Sequence, residues 1–315
     1  MEVKNNILIT GGLGNLGSWL SECFFQNDYN LFVTTREKAK FKHPYNEIIC
    51  DLTDRNSLAV LEDYTFDYVI HLASYNEYFE QHYFTKALKI NTEGTFNLIQ
   101  ALKKSSVKGF VYFSTAHVYG TLKGEITEKT VPNPLNDYAS THLFAEYITK
   151  QYCEQYHFPY TIFRLSNSYG APKFINNSKW YLLLNDLCKQ AVENRKIVLN
   201  TNGKAYRDFI WMGDVATICL AFIKNNLFQD NVLNLSSAKS IRIYEIAKKV
   251  KFEFEKKFKE EIEILINEND SNTYFDYRLN NKNLKKEIQF KFQNKFKDEV
   301  QKIFSHIALI DANKI

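Results

Sequence analysis

The sequence predicts an α/β fold, a doubly wound parallel sheet carrying a smaller C-terminal lobe. Three observations point there. Short apolar or β-branched runs alternate with amphipathic stretches, the pattern of parallel strands covered by helices on both faces. The runs VIHLA and FVYFST are almost continuously apolar rather than alternating, as strands buried on both faces are. After about residue 170 the rhythm loosens, which marks the lobe.

In chain order, strands are expected at 7–10, 31–35, 47–50, 68–73, 110–115 and 161–165. Helices near 15–26, 55–63, 79–103 and 138–157 lie between them. Later helices near 178–193, 213–226, 240–257 and 294–306 are separated by short strands such as 197–199 and 232–235. The stretch 248–266 mixes Lys and Glu with Phe and Ile. It reads as a solvated amphipathic helix followed by a strand.

Composition narrows the function classes. The 315 residues are 45% hydrophobic, enough for a sizeable core in one domain or two closely joined lobes. A net charge of +4 is too small to favour nucleic acid or an anionic membrane as partner. The five cysteines (Cys23, Cys50, Cys153, Cys188 and Cys219) are far apart and form no Cys-x-x-Cys pair. That argues against a disulfide framework or a zinc site, no metal is expected, and a reducing cytoplasm fits. The first apolar run, ILIT, is too short for a signal peptide. No stretch approaches the ~20 apolar residues of a membrane span.

ILIT leads directly into Gly11-Gly12-Leu13-Gly14-Asn15-Leu16-Gly17. Strand, Gly-x-x-Gly-x-x-Gly loop and helix in that order are what a dinucleotide pyrophosphate requires. The loop turns sharply, its amides approach the phosphates at a helix N-terminus, and the last glycine lets helix and strand pack closely. The second strand ends in Thr34-Thr35-Arg36, with no acid for a ribose 2′-hydroxyl. Arg36 alone leans towards the 2′-phosphate of NADP, yet a guanidinium also stacks on adenine. Asp51, followed by Leu52, is placed either to accept from the adenine amino group or to cap a helix.

Eight segments then recur in a familiar order: TGGLGNLG (10–17), DLTD (51–54), HLAS (71–74), NTEGTFNLI (91–99), STAHVYG (114–120), YASTH (138–142), RLSNSYG (164–170) and RDFIWMGDVA (207–216). Together they resemble the extended short-chain dehydrogenase/reductases, the NAD-dependent nucleotide-sugar epimerases, dehydratases and dehydrogenases. The resemblance covers nearly the whole chain. It implies a Rossmann domain over 1–170 and a mainly substrate-binding lobe over 171–315, with segments near 207–235 returning to the first domain. It implies cofactor contacts from Gly11, Gly14, Asn15, Leu16, Gly17, Thr35, Arg36, Asp51, Leu52, Leu72, Ala73, Ser74 and Asn91, joined by Tyr138 and His142. Thr115 would bond the reacting sugar oxygen and Tyr138 would be the acid/base. Asn167, Arg207 and His117 would face the substrate, although His117 also reads as a residue capping the strand end.

Oxidising a sugar alcohol needs a hydride acceptor and a base. A free phenol has a pKa near ~10, so it is mostly protonated at neutral pH. In the family a lysine one turn after the tyrosine favours phenolate and binds the nicotinamide ribose; here that position is His142. Histidine reaches ribose hydroxyls but carries no obligatory charge, with an ordinary pKa of ~6.5. Related 4,6-dehydratases carry Asp-Glu after the threonine, where this chain has Ala116 and His117. The expectation is therefore NAD-dependent oxidation at carbon 4 of a nucleoside-diphosphate sugar, a GDP-linked hexose or heptose for surface polysaccharide among the substrates envisaged. A 4-epimerase, or a non-catalytic dinucleotide-binding sensor or scaffold, are the alternatives. Family usage places NAD(H) first, with NADP left open by Arg36. Apolar side chains on two helices, including Phe84, Leu88, Phe144 and Tyr147, together with the family's four-helix pairing, imply a homodimer or homotetramer.

Overall fold

The computed structural model describes residues 4–77, 83–174 and 179–312. The expected helical residues 79–82 and 178 lie outside them. The chain runs β1 (Asn6–Thr10), α1 (Gly17–Gln26), β2 (Asn30–Thr35), β3 (Asn46–Ile49), α2 (Arg55–Leu58), β4 (Tyr68–His71), α3 (Tyr83–Ala87), α4 (Gly94–Ala101), β5 (Gly109–Thr115), β6 (Gly124–Ile126), α5 (Asp137–Tyr156) and β7 (Tyr160–Leu165). It continues through β8 (Asn167–Tyr169), α6 (Leu183–Asn194), β9 (Lys196–Leu199), β10 (Tyr206–Trp211), α7 (Met212–Lys224), β11 (Asn231–Leu235), β12 (Ser240–Arg242), α8 (Ile243–Phe258), β13 (Glu263–Ile266), β14 (Tyr277–Leu279), α9 (Lys282–Glu287) and α10 (Phe296–Ala312).

Seven strands form one sheet in the order β11-β7-β5-β4-β1-β2-β3, and every pairing in it is parallel. This is the Rossmann arrangement, and its order reverses between β1 and β4. There the connections leave in opposite directions and open a crevice beyond the carboxyl ends of the strands. Both faces are covered. Leu20 and Phe24 of α1 pack with Ile218 and Phe222 of α7 on one face. On the other, Leu98 and Ile99 of α4 pack with Ala145 of α5 and Phe110 of β5. Each of the buried Leu, Ile and Phe side chains contributes roughly 1.5–3 kcal/mol. The C-terminal helices α6, α8 and α10 gather a core of their own around Leu187, Val250, Phe254 and Phe304.

Several boundaries differ from the sequence reading, each for a local reason. The fourth strand stops at His71 rather than 73, because the amides of Leu72 and Ala73 turn to the Thr10 hydroxyl at 3.3 and 3.2 Å. The expected helix 55–63 is one short α-turn continued as a 3₁₀ turn, Ala59–Asp63. A π-turn, Leu88–Glu93, interrupts the expected helix 79–103. Residues 240–242 form β12 instead of opening the next helix, since Ile241 pairs with Arg207 of β10. Strands β6, β8, β12 and β14 have three residues each, too few to show a period.

A buried carboxylate ties two strand passages to β10. Asp208, fully buried on β10, accepts from the Ser166 hydroxyl at 2.7 Å, where β7 passes into β8. It also accepts from the Ser237 and Lys239 amides at 3.0 and 2.9 Å, where β11 passes into β12. Burial raises its pKa, while these donors pull it back down.

Candidate active site

A cleft of about 1290 Å³ lies across the carboxyl ends of the central strands. Its floor at the switch point is the glycine turn. Gly11 takes φ +68°, and a Cβ there would sit 3.0 Å from the Ala73 nitrogen. At Gly17 a Cβ would stand 2.0 Å from the Gly11 carbonyl oxygen. Loop and α1 are therefore as close as backbones approach. Asn15 and Leu16 complete the turn at the cleft wall, and the Asn15 side-chain oxygen is buried without a partner among the described residues.

One end of the cleft collects Thr35, Arg36, Asp51 and Leu52. The Thr35 hydroxyl is engaged by Glu47 at 3.0 Å. The Thr53 amide, 2.8 Å from the Asp51 carboxylate, holds its pKa below the usual range. The Thr53 hydroxyl, Arg36 and Lys89 act in the same direction, against burial. Asp51 thus both turns its own loop and keeps a negative charge near Arg36. Leu72, Ala73 and Ser74 form the wall between this end and the middle.

The middle holds the reactive groups. Thr115 ends β5; its hydroxyl accepts the His117 amide at 3.2 Å and hydrogen-bonds the Tyr138 phenol. Tyr138 stands in the first turn of α5, whose N-cap Asn136 accepts from the Ala139 amide at 2.9 Å. Burial raises the Tyr138 pKa, and the Thr115 bond opposes the rise. His142 follows one turn later, as residues four apart do on a helix. Its ring packs edge-on to Tyr138 with centroids 4.6 Å apart. Burial, then His117, push its pKa down to about 3. His142 is a neutral imidazole, with Nδ1 2.7 Å from the Tyr112 hydroxyl and Nε2 buried without a partner among the described residues. His117 sits 6.3 Å from the Tyr138 ring; burial and Arg207 lower its pKa too.

Beyond lie Asn167 and Arg207, on the adjacent strands β8 and β10. Across the mouth, Lys179 pairs with Glu77 and the Tyr181 hydroxyl donates to Asn76 at 2.8 Å. These contacts join the segment after β4 to the segment before α6.

Every site residue expected from the sequence lines this cleft except Asn91. Asn91 is buried within the π-turn, and its amide is spent on the Tyr75 backbone and the Thr141 hydroxyl. It braces the wall instead of facing the cleft. Sequence reasoning missed Tyr112, hidden inside an apolar strand, and Tyr277, in a stretch without periodicity. It also missed Lys179 and Tyr181, which no motif flagged. Gly11 and Gly17 pack the turn backbone to backbone, closer than any side chain there would permit. Asn15 and His142 add unspent polar atoms along the cleft. These features fit a bound dinucleotide.

The model of the NAD dependent epimerase/dehydratase family matches residues 7–236. The dTDP-D-glucose 4,6-dehydratase of Dictyostelium discoideum is 27% identical over 280 residues, covering 78% of this chain and 61% of that protein. This chain thus spans about three fifths of that relative's length. The Homo sapiens dTDP-D-glucose 4,6-dehydratase is 28% identical over 267 residues, 78% of this chain and 72% of its own. A UDP-glucuronic acid 4-epimerase from Bacillus cereus, solved with UDP-glucuronic acid and NAD, shares the fold with a TM-score of 0.80. Its identity is 21%, over 97% of this chain and 99% of that one.

Proposed function

The chain belongs to the NAD dependent epimerase/dehydratase family, and from that premise we propose that it oxidises carbon 4 of a nucleoside-diphosphate sugar to the 4-keto sugar. The observation that carries this reading is the Thr115–Tyr138 hydroxyl pair in the same cleft as the glycine turn. The sugar hydroxyl would lie against both oxygens. Thr115 orients it and Tyr138 takes its proton as the C–H bond breaks and the carbonyl forms. The glycine turn and His142 would hold NAD, which would supply the hydride acceptor and a positive charge that favours phenolate. The 115–117 turn presents a methyl and an imidazole, with no carboxylate pair to drive loss of water.

Asn167, Arg207 and His117 would hold the sugar nucleotide, within a lobe formed mainly by 171–315. Phe84, Phe144 and Tyr147 are 46%, 46% and 56% exposed on α3 and α5, which supports pairing of copies as a homodimer or homotetramer. Sedimentation as a monomer at micromolar concentration would remove that part. The described cysteines are all free, which supports a cytoplasmic setting.

The test is incubation with NAD and GDP-, UDP- or dTDP-sugars, a GDP-linked heptose included, followed by absorbance of reduced nicotinamide and mass spectrometry. Loss of two hydrogens from the sugar supports the dehydrogenase. Unchanged mass with inverted stereochemistry would make it a 4-epimerase, which shares the first half-reaction. No change with any sugar would leave a dinucleotide sensor.

A further inference from the structure

The geometry points to Tyr112 as a positioning residue that locks His142 as the Nε2–H tautomer and so leaves an uncharged N–H donor beside Tyr138, on a residue that lines the cleft. Tyr112 lies on β5 and His142 on α5, with 2% and 3% of their surfaces exposed. The phenol oxygen and Nδ1 are 2.7 Å apart, and among the described residues no other hydrogen bond is made by that phenol. Burial, then Glu146 and Tyr138, push its pKa well above the ordinary value, so the phenol keeps its proton. A buried hydroxyl proton needs an acceptor. Here the acceptor is Nδ1, which must then be bare, leaving the imidazole hydrogen on Nε2.

The opposite tautomer would orphan two groups at once, the phenol proton and an Nε2 lone pair. The chosen one leaves only the Nε2–H, at a residue that lines the cleft. Leaving a buried polar group unmade favours the alternative by roughly tenfold or more in population. The donor's partner is an acceptor oxygen on whatever occupies that position, in chemical class a ribose or sugar hydroxyl. Resting on the oxidoreductase reading above, this oxygen belongs to the ribose that carries the nicotinamide. The pair gives the site the direction of a lysine donor without its charge.

The tautomer is measured directly by long-range proton–nitrogen NMR on the free, full-length protein with nitrogen-15 histidine. His142→Gln identifies the signal among the seven histidines. A protonated Nε2 with a bare Nδ1 is expected. A protonated Nδ1 overturns the assignment whatever the enzyme does. Tyr112→Phe should then mix the tautomers and weaken NAD binding, measured by calorimetry, about three- to tenfold. An unchanged tautomer in that variant also overturns it. In a His142→Lys background the same Tyr112→Phe change should alter NAD affinity less than about twofold, because an ammonium has no tautomer to fix; a full loss there contradicts the proposal. If Nε2–H holds but no sugar nucleotide is oxidised, the tautomer assignment stands and the dehydrogenase reading alone fails.

Discussion

Tyr138 is a phenol whose burial works against the charge its task requires. With its pKa raised, phenolate becomes abundant only on the alkaline side. The oxidation rate should therefore climb as pH increases through the alkaline range. His142, neutral down to about 3, should add no inflection near neutrality. His142→Lys should keep the enzyme active and move the alkaline limb to lower pH, which pH–rate profiles would show. Tyr138→Phe should cut turnover by about 10²–10⁴, with the fold intact by circular dichroism; full turnover would remove Tyr138 as the base. Thr115, Tyr138 and His142 could be picked out beforehand because each stands in a short motif of fixed spacing. Tyr112 could not, because FVYFST has the look of plain core and only the tertiary contact with α5 gives its hydroxyl a purpose.

Two elements fix where these side chains meet. The β1–α1 turn leaves no room for a Cβ at 17, so Gly17→Ala should push helix and loop apart. NAD binding by calorimetry should be lost or severely weakened, with a lowered melting temperature. Helix α5 is pinned to β7 by Arg164 and Glu146, a bidentate pair at 2.9 and 2.7 Å that leaves them 4% and 1% exposed. Arg164→Ala would abandon a buried carboxylate with only the Ser114 hydroxyl for company. It should cost about 3–5 kcal/mol in urea unfolding. The strands and long helices followed from their apolar period, whereas the π-turn did not. It adds a residue to the helical turn without any change of composition, placing Lys89 and Ile90 at the cleft and Asn91 behind it. That is why spacing alone could not place Asn91.

At the level of the whole molecule, two buried histidines set the acid limit. Burial, assisted by a neighbouring imidazole in each case, pushes His71 and His142 both to about 3, against ~6.5 in an unfolded chain. The unfolded state thus takes up protons that the folded state refuses. Stability should fall as pH drops below about 6.5, and the loss should stop growing near 3. Between pH 7 and pH 5 each histidine accounts for about 2 kcal/mol. Urea unfolding at the two pH values checks this, and His142→Gln should shrink the difference. The alternating first half gave away the sheet. The lobe was harder, because its three-residue strands exist only where distant segments happen to pair. Asp208 belongs to the same unreadable class, an acid in mid-strand whose partners lie about thirty to forty residues away on either side. Bending at its seam would strand a desolvated charge, so the passages from β7 to β8 and from β11 to β12 are held against β10 as one unit.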